Sequence, residues 1–511
     1  MTQSPTGQHN AAEFHGWRLW AAALALGMAN FIAVLNMTIA NVTQPNMVGA
    51  LGAGTSQGTW IITAYAVAEA ISVPLTGWIS ARFGAVRVFV VCVLFFGVFS
   101  MLCGLSTSLE MLLLMRVFQG LCGGPLMALS QSLLLRIFPK EKAMQATGLW
   151  AMTTLLAPVI GPVLGGWLAD QYSWAWCFLI NVPQAIVYGA AGWYLLRSAE
   201  SKIEKQPIDF VGLILLIIWV ASLQIMLDEG KDLDWFASNK IVTLAIIAAI
   251  GFAAFLIWEL TEEHPIVDIR VFRHRGYASC MLVLALSFGA FFASNVLTPI
   301  WLQYNMGYTA TWAGIVVAFG GILQVVFSPI SAKLAERVDS RYLIFVGVFW
   351  LGIDMIWRSI ANTDMGFWDI TIPLFFMGIG LPLYFVPLTG VAMGSVEERE
   401  MTSASGIMAF VRTIASAFGT SLVTTAWQDN TIAAHAQLAD IAGSTIPYLY
   451  GLGTPVETAR SLYDVLITNQ AQLLATNNVN FQIGLIFILA SFTICLAPKP
   501  TRTVDPTSVG H

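Results

Sequence analysis

The sequence predicts an all-α integral membrane protein with fourteen transmembrane helices, and three observations lead there. Of its 511 residues, 57% are hydrophobic and 10% are charged, and the mean hydropathy is +0.73. A soluble domain carries roughly 25% charged residues because its surface needs them, so most of this surface faces lipid. Apolar runs long enough for a bilayer crossing, about 20 residues each, recur along the chain. The balance of Lys and Arg between successive connections then fixes one topology. A net charge of −5 argues against a nucleic-acid partner. The six cysteines, Cys92, Cys103, Cys122, Cys177, Cys280 and Cys495, lie in apolar runs without a CxxC pair and read as reduced packing residues, not a disulfide framework or a metal site.

The chain opens with a polar tail, 1–16, that lacks a signal-peptide pattern. Six spans follow at 17–39, 59–80, 87–105, 111–135, 147–168 and 175–196, a first six-helix bundle over 17–196. A linker, 197–276, holds two further spans at 209–227 and 240–260. Six more at 277–302, 311–331, 341–360, 369–394, 406–427 and 479–497 make a second bundle over 277–497. Its last two spans are separated by a polar insertion, 428–478, rich in Ala, Gln, Asn and Thr, with one basic residue, Arg460; a tail, 498–511, closes the chain. With the N-terminus inside, 18 of the 24 basic residues fall on cytoplasmic segments. Lys231, Lys240, Arg358 and Arg460 fall opposite, while Arg116 and Arg412 lie within spans. That split predicts cytoplasmic termini and a periplasmic insertion.

An internal echo supports two repeats. Gly77-Trp-Ile-Ser-Ala-Arg82-Phe-Gly84-Ala-Val-Arg87 follows the second span, and Ser331-Ala-Lys333-Leu-Ala-Glu-Arg337-Val-Asp339-Ser-Arg341 follows the second span of the later bundle. Both are tight basic turns. Paired bundles with a midplane binding site are a common transporter design.

Local motifs carry a resemblance. Span one has Leu35-Asn36-Met-Thr38-Ile-Ala-Asn41-Val, span two runs from Gln57-Gly58-Thr-Trp60 to Pro74-Leu-Thr-Gly77, and span four carries Arg116-Val-Phe-Gln119-Gly120-Leu-Cys-Gly123-Gly124-Pro125. Span five carries Ala157-Pro158-Val-Ile-Gly161-Pro162-Val-Leu-Gly165-Gly166, and Trp174-Ala-Trp176-Cys-Phe178-Leu-Ile-Asn181-Val-Pro183 leads into span six. Together these resemble the major facilitator superfamily, and within it the fourteen-span drug/proton antiporters of the EmrB type. The resemblance covers nearly the whole chain. It implies the major facilitator fold, two six-helix bundles with two inserted helices. It also implies an antiporter motif at Pro158, Gly161, Pro162, Gly165 and Gly166 and a cytoplasmic gating loop at Gly77, Arg82, Gly84 and Arg87. In that loop Ala81 stands where the family pattern has an acid, which weakens a charge latch. Physically, the glycines and prolines of span five permit close helix approach and a kink; ordinary small-residue packing explains them as well.

Ionisable groups inside a membrane are costly and mark function by default. Glu69 sits about ten residues into span two, roughly 15 Å from either face. A carboxyl there can exchange protons or meet a cationic substrate; the alternative is a static hydrogen-bonded contact. Arg116, in the outer half of span four, is the partner by depth for proton coupling. Asn36 stands where the family has a coupling aspartate and cannot titrate, so either Glu69 carries the proton site or coupling is altered. Asp354 and Arg358, four apart, read as a structural ion pair, and Arg412 as a side chain that snorkels to headgroups. Asn36, Glu69, Gln131, Asn295, Gln303, Gln324 and Tyr384 are the expected lining of a substrate cavity, since amides and aromatic faces suit bulky amphipathic compounds.

No Walker A loop, HExxH or GxSxG is present, so the sequence predicts neither an ATP-driven pump nor an enzyme, and no cofactor. The expected function is a proton-gradient-driven exporter of amphipathic small molecules in the bacterial inner membrane. By the family resemblance, its partners would be a periplasmic membrane-fusion adaptor and an outer-membrane channel. A uniporter or importer of a small metabolite on the same fold is the alternative, for which Asn36 argues mildly.

Overall fold

The computed structural model describes residues 16–494, except 54, 140–141, 202, 204–208, 264, 398–399 and 440–455. The predicted tails, apart from Gly16, and the middle of the polar insertion lie outside the described residues. Helices α1 (Trp17–Ala50), α2 (Thr55–Phe83), α3 (Ala85–Gly104), α4 (Leu109–Ile137) and α5 (Ala143–Gln171) come first. After them run α6 (Trp176–Leu179), α7 (Asn181–Leu196), α8 (Phe210–Glu229), α9 (Asn239–Thr261), α10 (Arg275–Tyr304) and α11 (Ala310–Ala335). The last four are α12 (Ser340–Arg358), α13 (Phe367–Gly394), α14 (Met401–Ala439) and α15 (Val456–Thr493). Among the described residues, 13 helices are long and apolar enough to cross a membrane.

The remaining predicted span, 175–196, is the short α6 joined to the 16-residue α7. Pro183 accounts for the break: it has no N–H to donate to Leu179, and its ring crowds that carbonyl. In the first turn of α7 the same residue is tolerated.

These helices lack a polar face because lipid replaces water. On α3, Val86, Phe89, Val93, Phe96, Ser100 and Cys103 are buried at helical spacing, while Val91, Leu94, Phe95, Val98 and Met101 point outward. Both faces are apolar, as a helix surrounded by acyl chains requires. On α9, Ile246, Ile250, Phe252, Ile257 and Leu260 face outward and few side chains are buried, so this helix is peripheral. It packs on α8 where Gly251 meets Trp219.

The described chain forms two compact units. The first gathers α1–α9 and the opening turns of α14 up to Phe410; α8 and α9, the predicted inserted pair, belong to it, with α8 packed on α2. The second gathers α10–α13, α14 from Val411 and α15. Each relies on a glycine contact between two helices. In the first, a Cβ on Gly120 of α4 would lie 2.4 Å from the Tyr65 carbonyl of α2; in the second, one on Gly378 of α13 would lie 2.3 Å from the Gly320 carbonyl of α11.

The polar insertion is largely helix. α14 has 39 residues and α15 has 38, each about 57 Å long at 1.5 Å per residue, against about 30 Å of hydrocarbon. Ala, Gln and Leu, good helix formers, carry the pattern past the apolar run. The two extensions are tied side by side. Trp427 Nε1 donates to Thr476 Oγ1 (3.0 Å), Asn478 Nδ2 to Asn430 Oδ1 (2.8 Å) and the Tyr463 hydroxyl to the Leu438 carbonyl (2.7 Å).

Candidate functional site in each helical unit

In the first unit the site is built on α2 and α4. Gly120, Gly123 and Gly124 let α4 lie against Tyr65, Glu69 and Ser72 of α2, since a Cβ on any of the three would come within 2.4 Å of that helix. Glu69 is the fifteenth residue of the 29-residue α2, midway along it, and is fully buried. Arg116, one turn earlier on α4 than Gly120, is also fully buried. Its Nε donates to the Ile61 carbonyl (3.0 Å) and Nη1 to Gln119 Oε1 (2.8 Å), and its guanidinium lies over the Tyr65 ring at 4.4 Å and the Phe178 ring at 5.5 Å. Glu69 and Arg116 therefore share one buried neighbourhood and act on each other electrostatically, while the guanidinium's hydrogen bonds go to Ile61 and Gln119.

Gln119 is the hub. Its amide nitrogen donates to Ser100 Oγ (2.6 Å) and Asn36 Oδ1 (3.3 Å), and Asn181 Nδ2 donates to the same Asn36 oxygen (3.3 Å). Asn36, expected along a substrate cavity, is 1% exposed and tied into this web across α1, α3, α4 and α7. Sequence reasoning quoted Gln119 and Asn181 only as motif letters. Their partners lie 83 and 145 residues away from Asn36, so no local pattern reveals them.

The expected antiporter motif lies within α5, which continues through Pro158 and Pro162. A Cβ on Gly161 would lie 2.1 Å from Thr38 Oγ1, and one on Gly165 would lie 3.2 Å from Ile39; Gly166 is buried. Thr38 donates to the Ala157 carbonyl (3.5 Å). The small residues thus seat α5 on α1 beside Asn36.

At the predicted gating loop, Gly84 takes φ +94°, the left-handed region that suits glycine. A Cβ there would also meet the Glu200 carboxylate at 2.6 Å. That carboxylate accepts from the backbone N–H of Val86 (2.9 Å) and Arg87 (3.1 Å) and lies 3.8 Å from the Arg87 guanidinium. Ala85 N donates to Ser201 Oγ (2.9 Å). Glu200 thus supplies, from beyond α7, the acid that Ala81 lacks, and holds the N-terminus of α3. Arg82 stacks on Trp78 and Phe83, and Gly77 lets Ser403 approach closely. Glu200 was missed because it is 113 residues from Arg87.

In the second unit Asp354 and Arg358 sit near the end of α12. The expected ion pair is corrected: Arg358 turns to α10, where Nη1 donates to Ser294 Oγ (3.0 Å) and Nη2 to Thr298 Oγ1. Asp354 is 3% exposed, and neither of its oxygens accepts a hydrogen bond from any of the described residues. The i, i+4 spacing brings the two residues near, but two hydroxyls in reach offer the guanidinium its donors' partners without bending back. Arg412, expected to snorkel, is 3% exposed and lies over the rings of Phe288 (5.8 Å) and Phe385 (5.9 Å). Aromatic faces hold its charge in place of headgroups.

The other expected cavity residues divide. Gln131 in the first unit, and Gln324 and Tyr384 in the second, are at most 2% exposed, and their side-chain polar atoms find no hydrogen-bond partner among the described residues. Such groups are costly to bury without a partner. Asn295 is half-buried and donates back to the Phe291 carbonyl of its own helix, and Gln303 is exposed and does the same to Pro299.

Residues 26–420 match the model of the Major Facilitator Superfamily. The chain is 39% identical to the multidrug export protein EmrB of Haemophilus influenzae, over 96% of this chain and 97% of that one. It is 39% identical to the EmrB of Escherichia coli K12, over 95% and 96%. It is also 36% identical to the fatty acid resistance protein FarB of Neisseria gonorrhoeae, over 93% and 96%. Among solved structures, the proton:xylose symporter XylE superposes with a TM-score of 0.60 at 11% identity, covering 94% of this chain and 96% of that one, a likeness of fold alone. The chain belongs to the major facilitator superfamily, and the EmrB-type resemblance read from its motifs is borne out.

Proposed function

We propose that this member of the major facilitator superfamily is a proton-coupled antiporter that exports amphipathic drugs or other toxic compounds across the bacterial inner membrane. The observation that carries the reading is the buried site of the first unit, where Glu69 lies midway along α2 within the electrostatic reach of Arg116. An ionisable pair at that depth serves a membrane-crossing charge better than it serves stability. The export and resistance functions named for the relatives agree with it. Gln131, Gln324 and Tyr384 offer buried polar atoms to a ligand. The drive is the proton gradient, with no cofactor, and both termini are cytoplasmic.

We further propose that the chain is the inner-membrane subunit of a three-part pump with a periplasmic membrane-fusion adaptor and an outer-membrane channel. The helical extensions of α14 and α15 support this: they project well beyond a membrane thickness, and they expose Ile432, Val465 and Leu466 on otherwise polar stretches. Asn36 favours the competing reading of a uniporter or importer, because an amide cannot carry a proton.

Drug accumulation in intact cells, with and without a protonophore, separates the two. The antiporter lowers accumulation, and the protonophore abolishes that effect. Accumulation that rises with expression, or that ignores the protonophore, overturns the proposal.

A further inference from the structure

The second unit holds a carboxyl group that the first unit's site does not use. Asp354 lies on the outer third of α12 by the charge-derived topology. Helices α13 and α15 pack closely on α12 on either side of it. Gly352 sits against the Gly484 carbonyl of α15, 3.0 Å from where its Cβ would be, and Gly347 against the backbone of α13 at Tyr384, 2.6 Å away. With Asp354 3% exposed and no donor on either oxygen, the nearby Arg358 is the group among the described residues that favours its anion. Buried anions without donors are rare because their desolvation is uncompensated.

Arg358, one turn further out, is held by Ser294 and Thr298 and lines a pocket. Leu297, Trp301, Asp369, Thr476 and Asn480 share that lining, so the pocket lies among the outer ends of α10, α12 and α13 and the middle of α15 and has room for water. The groups turned towards this end are few. α10 gives the hydroxyls of Ser294 and Thr298, α15 gives Thr476 and Asn480, and α13 gives Asp369 at the pocket and Tyr384 deeper. The charges of α11 and α12 other than Asp354 and Arg358 (Lys333 and Arg341) lie at their opposite ends.

We propose that Asp354 is a second proton-binding carboxyl, in the second unit, loaded from the outer aqueous phase through the pocket that Arg358 lines. Asp354 lies one helical turn inward of that lining, so a water that enters past Arg358 from the pocket delivers the proton. The proton adds to a carboxylate oxygen to give the neutral acid, and its release to the same water restores the anion beside the guanidinium. Arg358, held by α10 and not locked onto Asp354, can stabilise the anion without blocking protonation. The proposal deepens the antiporter reading and rests on it for its use in transport, but the proton site itself is measurable without transport.

The test is infrared difference spectroscopy between acid and alkaline pH on the purified full-length protein, in wild type, Asp354→Asn, Asp354→Glu and Glu69→Gln. The carbonyl stretch of a protonated carboxylic acid is read directly. A titrating band that vanishes in Asp354→Asn, persists at a shifted frequency in Asp354→Glu and survives in Glu69→Gln is the expected result. Retention of the band by the Glu variant shows that its loss in the Asn variant is not misfolding. A wild-type spectrum unchanged by Asp354→Asn overturns the proposal. Gradient-driven efflux by wild-type vesicles is measured alongside: its absence overturns the antiporter reading, whatever the infrared band shows.

Discussion

The two helical units handle buried charge differently. In the first, Arg116 is fixed by a carbonyl, an amide and two aromatic rings, and the amide that holds it is itself fixed by Ser100 and Asn36. In the second, Arg358 is fixed by two hydroxyls while its neighbour Asp354 receives nothing, and Arg412 rests on Phe288 and Phe385. The helix-packing device is shared, since a glycine allows backbone contact at Gly120 and again at Gly378. What differs is the filling: a web of amides in one unit, and in the other a guanidinium on two hydroxyls, a carboxyl with no donor among the described residues, and Arg412 against aromatic rings. A connected web holds its members in one arrangement. An isolated carboxyl has no such partners to lose and can change its protonation with less disturbance.

The largest expected effect tests what the units share. Gly120→Leu and Gly378→Leu each drive a side chain into a facing carbonyl, and overpacking of this kind costs about 1–3 kcal/mol or more. Both variants are expected to lose abundance and thermal stability to a similar degree, read by fluorescence-detected size exclusion after heating. A large loss in one and none in the other would break the parallel. The next test exploits the web. Asn36→Asp keeps an acceptor for both Gln119 and Asn181, so the variant is expected to fold, and the pH profile of its efflux is expected to gain a second inflection. An unchanged profile would show that the web silences a carboxyl at that position. The smallest effect concerns the loop after α2. Glu200→Gln keeps one acceptor oxygen, so one of the Val86 and Arg87 N–H groups loses its partner, and the charge beside a part-exposed guanidinium is lost as well. Stability is expected to fall by only about 1 kcal/mol. A loss several times larger would make Glu200 a principal clamp of that end.

Much of the fold was legible in the sequence because lipid imposes a length and a hydropathy on each span. The span-five glycines at 161 and 165 were legible as close-approach positions, though not which neighbours they meet, while the glycines at 120, 123 and 124 were legible only as motif letters. Depth alone suggested Glu69 and Arg116 as partners, and the two lie in one buried neighbourhood while the guanidinium's hydrogen bonds go to Ile61 and Gln119. Other features were hidden for a common reason. Glu200 at the loop after α2, Gln119 at the centre of the web and Arg358 on α10 all depend on side chains far apart along the chain. The spacing of Asp354 and Arg358 predicted a local pair, and tertiary hydroxyls overrode it. Arg412 was read against headgroups because aromatics from α10 and α13 could not be placed beside it. The polar composition of 428–478 marked the end of the apolar run but not the end of the helix.

The most direct test of the central claim is efflux of a fluorescent lipophilic cation by inverted membrane vesicles under an imposed pH gradient, comparing wild type with Glu69→Gln. Gradient-driven transport is expected to fall by more than about tenfold, equivalent to about 1.4 kcal/mol, while protein abundance and binding of the cation are retained. Transport by Glu69→Gln at the wild-type rate would contradict the assignment of proton coupling to the first unit's buried site.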